Sequence, residues 1–315
     1  VLVRSFIFWL STKKGVTDAI GRRGMRHGFA RRFIAGETLE DALAASAELG
    51  RAGRRVSLNH LGENVHTAEE AEGARDSYIR MVRELDAGRV DGNVSIKLTQ
   101  LGLDLDRDLC QTLAAQIAGA AAALGRTIEM DMEGTAYTDR TLDIFEAIRR
   151  SHDNVALAIQ AYLRRSERDL ERLAPLGPKI RLVKGAYREP AGLALQKKSE
   201  VDANYRRLLD RLLEGQFFPA IATHDPAMLD FARQRLHERR LPPDRYEFQM
   251  IYGVRRDLQQ QLRDQDHPLR IYVPFGTEWC PYFMRRLSER PANCWFVLRS
   301  LAAESFRWRA TRDEA

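Results

Sequence analysis

Eight short β-rich runs, each followed by an amphipathic helical stretch, in one chain of 315 residues with no linker between them, predict an α/β protein of the (β/α)8 barrel type. No Ser/Gly-rich or low-complexity tract interrupts residues 50 to 300, so one large domain is expected. A doubly wound open sheet is the alternative. The first β-rich run is not followed by GxGxxG, which argues against a dinucleotide-binding sheet of that kind.

The elements follow in order. Residues 1–50 read as a helical lead-in, residues 51–302 as the barrel and residues 303–315 as a tail. In the lead-in, "GETLEDALAASAEL" has Thr38 as a cap, acids in the first turn, and Gly50 as the expected stop. The β-rich runs are "RRVSLNHLG" (54–62), "VDGNVSIKL" (90–98), "RTIEMDME" (126–133), "NVALAIQAY" (154–162), "KIRLVKGAY" (179–187), "FPAIATHD" (218–225), "YEFQMIYG" (246–253) and "LRIYVPFG" (269–276). Helical spacing recurs between them, as in "DRTLDIFEAIRR" and "VDANYRRLLDRLLEG". A last helix, "YFMRRLSER" (282–290), is expected over the barrel mouth.

Composition narrows the functional classes. Hydrophobic residues are 44% and charged residues 30%, a globular balance. No apolar run approaches the ~20 residues needed to span a bilayer. The opening "VLVRSFIFWL" lacks a small-residue cleavage site and reads as a short packed helix. The net charge is +6, but the basic residues are interleaved with acids and arginine outnumbers lysine 43 to 7. That dispersal argues against a nucleic-acid stripe. Cys110, Cys280 and Cys294 have no metal-ligand or redox spacing, so a cytoplasmic location and no structural metal are expected.

A barrel carries its site at the C-terminal ends of its strands. Here those ends are polar. Run two ends with Lys97, and in run three Glu129, Asp131 and Glu133 alternate, which predicts one shared face. Run four ends with Gln160, run five carries Arg181, Lys184 and Tyr187, run six ends with Thr223 and His224, and run eight carries Arg270 and Tyr272. Burying unpaired charge costs several kcal/mol, so such a ring implies mutual pairing or a polar ligand. Tyr282, Arg285, Arg286 and Glu289 fall at i, i+3, i+4 and i+7, one helical stripe. Two guanidiniums there suit a carboxylate or phosphate, with Glu289 placed to hold one of them. The residues alone leave open a Schiff-base aldolase using Lys97 or Lys184, or a basic module that binds anionic lipid or nucleic acid.

"SIKL", "EMDME", "IQAY", "RLVKGAY", "ATHD", "RIYVPFGT" and "YFMRRLSER" resemble, in order and spacing, the motifs of the proline dehydrogenase family, particularly its monofunctional bacterial type. The similarity covers roughly residues 30 to 300. It implies a distorted (β/α)8 TIM barrel that binds FAD, with FMN as the alternative. It implies oxidation of L-proline to Δ1-pyrroline-5-carboxylate by hydride transfer to flavin N5, with electrons passed to a membrane quinone.

Carried over by position, the resemblance puts Arg285, Arg286 and Lys97 on the proline carboxylate and Tyr272 and Tyr282 around the pyrrolidine ring. Asp131 would support Lys97 and the amine side. Arg181 and Gln160 would contact the isoalloxazine. Met132, Lys184, Gly185, Ala186, Thr223 and His224 would line the flavin. The ring of Tyr272 would crowd a hydroxyl on the substrate, which favours proline over hydroxyproline. The chain is too short for an aldehyde dehydrogenase region, so a separate pyrroline-5-carboxylate dehydrogenase partner is implied. A peripheral position at the inner membrane surface is implied as well.

Overall fold

The computed structural model describes residues 30–62, 65–280 and 282–283. Its eight strands close into a parallel barrel in sequence order. They are β1 (Arg55–His60), β2 (Gly92–Ile96), β3 (Ile128–Met130), β4 (Val155–Gln160), β5 (Lys179–Val183), β6 (Phe218–Ala222), β7 (Glu247–Ile251) and β8 (Leu269–Phe275). β8 pairs with β1 from Arg270 opposite Arg55 to Phe275 opposite His60, which completes the circle. Helix α1 (Leu39–Arg51) precedes β1. Helices α2 (Ala68–Ala87), α3 (Arg107–Ala122), α4 (Thr138–Arg149), α5 (Ser166–Leu173), α6 (Lys198–Glu214), α7 (Pro226–Glu238) and α8 (Arg256–Asp264) follow β1 to β7 in turn.

Alternate strand residues face outward and are apolar. Val56 and Leu58, Val94 and Ile96, Ile128 and Met130, Ile180 and Leu182, Phe248 and Met250, and Ile271 and Val273 are all buried. They meet helix stripes at i, i+3, i+4 and i+7 spacing, such as Tyr78, Met81, Val82 and Leu85 on α2 or Tyr205, Leu208, Leu209 and Leu212 on α6. Each such side chain contributes about 1.5–3 kcal/mol on burial, so the shell between strands and helices is the main source of stability.

The other strand face points into the barrel and is polar. Ser57 and Asn59, Asn93 and Ser95, Glu129, Lys179 and Arg181, Glu247 and Gln249, and Arg270 alternate with the apolar set. Alanines at 156, 158, 220 and 222 make room for the long charged side chains. Barrel interiors are usually filled by layers of Val, Ile and Leu. This one is filled by ion pairs.

α1 starts with a reciprocal cap, in which Asp41 N–H donates to Thr38 Oγ1 at 3.2 Å and Thr38 N–H donates to Asp41 Oδ2 at 3.4 Å. Gly50 was the expected stop, but the helix runs through it to Arg51, and the chain turns at Gly53 with φ +70°. α1 packs on β1 and β8. It therefore covers the seam where a regular barrel places the helix that follows β8.

The chain after β8 is redirected across the C-terminal ends of the strands. Helical residues Trp279, Cys280, Tyr282 and Phe283 form a second apolar cluster with Ala30, Phe33, Ile34, Leu61 and Val254. Gly253 allows this roof to close. It has φ +72°, and a Cβ there would overlap the Arg32 backbone. Arg285, Arg286, Glu289 and the 303–315 tail lie outside the described residues.

Run three differs from the sequence reading. β3 ends at Met130, so Glu133 does not share the face of Glu129 and Asp131. It turns aside to accept from Thr99 Oγ1 at 2.7 Å and Thr99 N at 3.2 Å. Among the described residues, no helix is long and apolar enough to cross a membrane.

Candidate active site

A cavity of about 450 Å³ opens at the C-terminal ends of the strands. Every predicted site residue within the described part of the chain lines it: Lys97, Asp131, Met132, Gln160, Arg181, Lys184, Gly185, Ala186, Thr223, His224, Tyr272 and Tyr282. Gln249, Met250 and Ile251 of β7 and Asp225 line it too, and were not expected. A larger cavity of about 790 Å³ lies at the opposite end, against Arg51, Arg54, Asp91 and Arg263. It is formed by the loops that enter the strands, the end of the barrel associated with stability rather than chemistry.

Arg181 is the hub. It is 5% exposed. Its Nε donates to Gln249 Oε1 at 2.6 Å, and its Nη1 donates to Asp131 Oδ1 at 2.5 Å. Nη2 donates to Ser95 Oγ at 2.7 Å and to Glu129. The guanidinium carbon also sits 5.2 Å from the Tyr272 ring centre. Tyr272 Oη in turn donates to Asp131 Oδ2 at 2.9 Å. Burial first, and then the Asp131 carboxylate, push the Tyr272 phenol well above its ordinary range, so the phenol keeps its proton.

Below Arg181 the ion pairs continue down the barrel. Lys179 Nζ is 3.0 Å from Glu129 and 2.6 Å from Glu247, and Arg270 Nε is 2.9 Å from Glu247. Three cations thus face three carboxylates counting Asp131. Burial alone would raise the Glu129 carboxyl, but Arg181, Lys179 and Arg270 outweigh it and hold the group below the usual carboxylate range. Glu247 is held down in the same way by Arg270 and Lys179.

Both oxygens of Asp131 accept hydrogen bonds, Oδ1 from Arg181 and Oδ2 from Tyr272. Lys97 is 6% exposed at the end of β2. Burial first, and then the positive charge of Lys97, lower the neighbouring His60 imidazole.

Lys184 is held by Asp202 and by Asp225 Oδ2 at 2.7 Å, and Lys198 joins the same two carboxylates. Burial would raise Asp225, and the two lysines outweigh it. Both Lys184 contacts are charge-assisted hydrogen bonds that tie its amine to carboxylates, unlike the desolvated lysine in an apolar pocket that Schiff-base chemistry uses. Asp225 also caps α7, its Oδ1 accepting from Ala227 N at 3.1 Å.

Gly185 has φ +117°, and a Cβ there would overlap the Tyr162 ring. The glycine of "KGAY" is therefore required by its conformation and by the close approach of Tyr162. His224 Nε2 accepts from Ile251 N–H at 2.8 Å, which places the proton of the neutral ring on Nδ1. Gln160 donates through Nε2 to Met132 O at 3.1 Å, while its Oε1 is buried with no hydrogen-bond partner among the described residues. A carbonyl left this way in a cavity wall is an acceptor for a ligand N–H.

The sequence signals that were missed are strand-like. Gln249 and Glu247 sit two apart on β7, as Arg181 and Lys179 do on β5, and period-two polarity marks both.

The proline dehydrogenase family model matches residues 42–299. The chain is 36% identical over 301 residues to "Proline dehydrogenase 2" of Bacillus subtilis, covering 96% of this chain and 99% of that protein. It is 38% identical over 277 residues to "Proline dehydrogenase" of Deinococcus radiodurans, covering 86% and 89% of the two chains. The fold matches a crystal structure of proline utilization A (PutA) from Bdellovibrio bacteriovorus inactivated by N-propargylglycine, with a TM-score of 0.77 and 25% identity. That alignment covers 83% of this chain but only 32% of that much longer protein. With the match extending over nearly the whole barrel, the chain belongs to the proline dehydrogenase family.

Proposed function

We propose that this chain oxidises L-proline to Δ1-pyrroline-5-carboxylate in the strand-end cavity, using a bound flavin, FAD, and passing the electrons to a membrane quinone. In this reading residues 51–302 form the flavin-binding barrel, 1–50 its lead-in and 303–315 a tail. The observation that carries the reading is the convergence of Lys97, Asp131, Gln160, Arg181, Tyr272 and Tyr282, from five strand ends and the segment after β8, on one cavity.

The residues present fit a flavin. Gln160 offers a buried carbonyl without a partner among the described residues, which matches an imide N–H. Arg181, Met132, Thr223, His224 and the Lys184–Gly185–Ala186 turn would hold the rest of it. A bound flavin supplies the two-electron acceptor that no protein side chain offers.

The side chains do the positioning. Arg285 and Arg286, with Lys97, anchor the substrate carboxylate. Tyr272 and Tyr282 flank the ring, and the fixed Tyr272–Asp131–Arg181 set stops Tyr272 from rotating away. Holding a small zwitterion in one orientation removes much of the entropic part of the barrier. The substrate amine must be neutral to lose hydride, and nearby cations lower its pKa. Water takes the proton, and no side chain is assigned as a dedicated base. The quinone is met at the membrane surface, and a pyrroline-5-carboxylate dehydrogenase takes the product.

The test is anaerobic addition of L-proline to the purified protein. A yellow protein with absorbance near about 450 nm that bleaches on addition is the expected result. A protein that neither carries nor takes up flavin, or a flavin that proline does not bleach, would overturn the reading.

A further inference from the structure

We propose that Glu129 is a positioning residue for the redox site: it holds the Arg181 guanidinium down in the barrel and so sets how much positive charge reaches the cofactor cavity. The inference rests on the flavin reading above. Glu129 is fully buried and is not part of the cavity wall. It cannot touch a ligand there. Yet one guanidinium meets two carboxylates from this stretch, Glu129 in β3 and, two residues on, Asp131 just past the strand at the cavity rim.

The two grips pull in different directions. Asp131 draws Nη1 toward the rim and toward Tyr272, while Glu129 draws Nη2 into the barrel. Glu129 is itself fixed from the far side. Its Oε1 accepts from Gln249 Nε2 at 2.7 Å and lies 3.0 Å from Lys179 Nζ. Gln249 also receives Arg181 Nε, so the guanidinium, the carboxylate and the amide form a closed set.

An apolar residue of similar size would fill the space of Glu129 but leave Arg181 and Lys179 short of a buried counter-charge, so the role of Glu129 is electrostatic rather than one of packing. What it does supply is charge and direction. Without it, three interior cations would face two carboxylates, and Arg181 would keep Asp131 as its carboxylate partner, with Gln249 and Ser95 as neutral ones. More positive charge would then act at the cavity. A flavin gains negative charge on reduction, so its reduced form would be favoured.

The experiment compares the reduction potential of the flavin-loaded wild type with Glu129→Gln and Glu129→Asp, by spectroelectrochemical titration, alongside thermal melting. Glu129→Gln should shift the potential upward by about 30 mV or more, a tenfold change in the two-electron equilibrium. Glu129→Asp keeps the charge and should stay near wild type even if it melts earlier. Equal potentials in wild type and Glu129→Gln, or an equal shift in both variants, would overturn the inference and leave the flavin reading intact. If Glu129→Gln fails to fold, Lys179→Met decides. It leaves Glu129 to Arg181 and should lower the potential, whereas no change or a rise would overturn the inference. A wild-type protein that takes up no flavin would instead fail the reading beneath it.

Discussion

Arg181→Ala should destabilise the protein by about 3–5 kcal/mol at neutral pH, the usual cost of removing one partner from a buried ion pair. The substitution takes five hydrogen bonds from a site that is 5% exposed. It leaves Glu129 with Lys179 and Gln249, and Asp131 with Tyr272. At roughly 2–4 °C per kcal/mol for large domains, the melting temperature should fall by about 6–20 °C.

The effect also has a pH signature. In the wild type the Glu129 carboxyl is held below its unfolded value of about 4.3, so its contribution is fully present above that pH and lost as pH falls through the folded value. Arg181 is the largest charge opposing the effect of burial on Glu129. Without it the folded carboxyl rises, and acid then favours the folded variant over a wider range. The gap between the two proteins should therefore narrow from pH 7 to pH 4. Thermal melts at the two pH values measure it. A variant that melts within about 2 °C of wild type at pH 7, or a gap that stays constant with pH, would refute the role given to the buried ion pairs.

Arg285→Met and Arg286→Met should each raise the proline KM about tenfold or more, as expected for a charge-assisted carboxylate contact, with flavin content nearly unchanged. Steady-state kinetics and the absorbance ratio of the purified variants check both. Gly185→Ala should cost about 1–3 kcal/mol and weaken flavin retention, since φ is +117° and the new methyl meets the Tyr162 ring. Flavin content after dialysis reads it. Tyr272→Ser removes the ring under Arg181 and should shift preference toward hydroxyproline, which paired kcat/KM values on the two substrates can test.

Much of the site was legible because barrel chemistry concentrates at strand ends, where a polar residue after an apolar run has little other reason to occur. Lys97, Gln160 and His224 were found that way. The interior ion pairs were not. A strand with alternating polarity normally means one dry face and one wet face, and "YEFQMIY" or "KIRLV" reads as such. Only closure of the barrel turns the polar face inward, and then Glu129, Lys179, Glu247 and Arg270 must satisfy one another.

The partners of Lys184 were hidden for a related reason. Asp202 and Asp225 lie 18 and 41 residues away, on α6 and at the start of α7. The β8–β1 seam was equally opaque. Nothing local in "LEDALAASAEL" says that this helix, rather than the one after β8, will cover it. Glu133 was misread because alternation was extended past Met130, where the strand had already ended.

The most direct measurement is a crystal structure of the purified protein grown with its cofactor and soaked with L-proline under reducing conditions. Isoalloxazine density within hydrogen-bond distance of Gln160 Oε1 is expected, beside Arg181, with proline between it and Tyr272. A flavin seated elsewhere, for instance among the arginines at the opposite end of the barrel, or proline bound away from Tyr272 and Lys97, would contradict it.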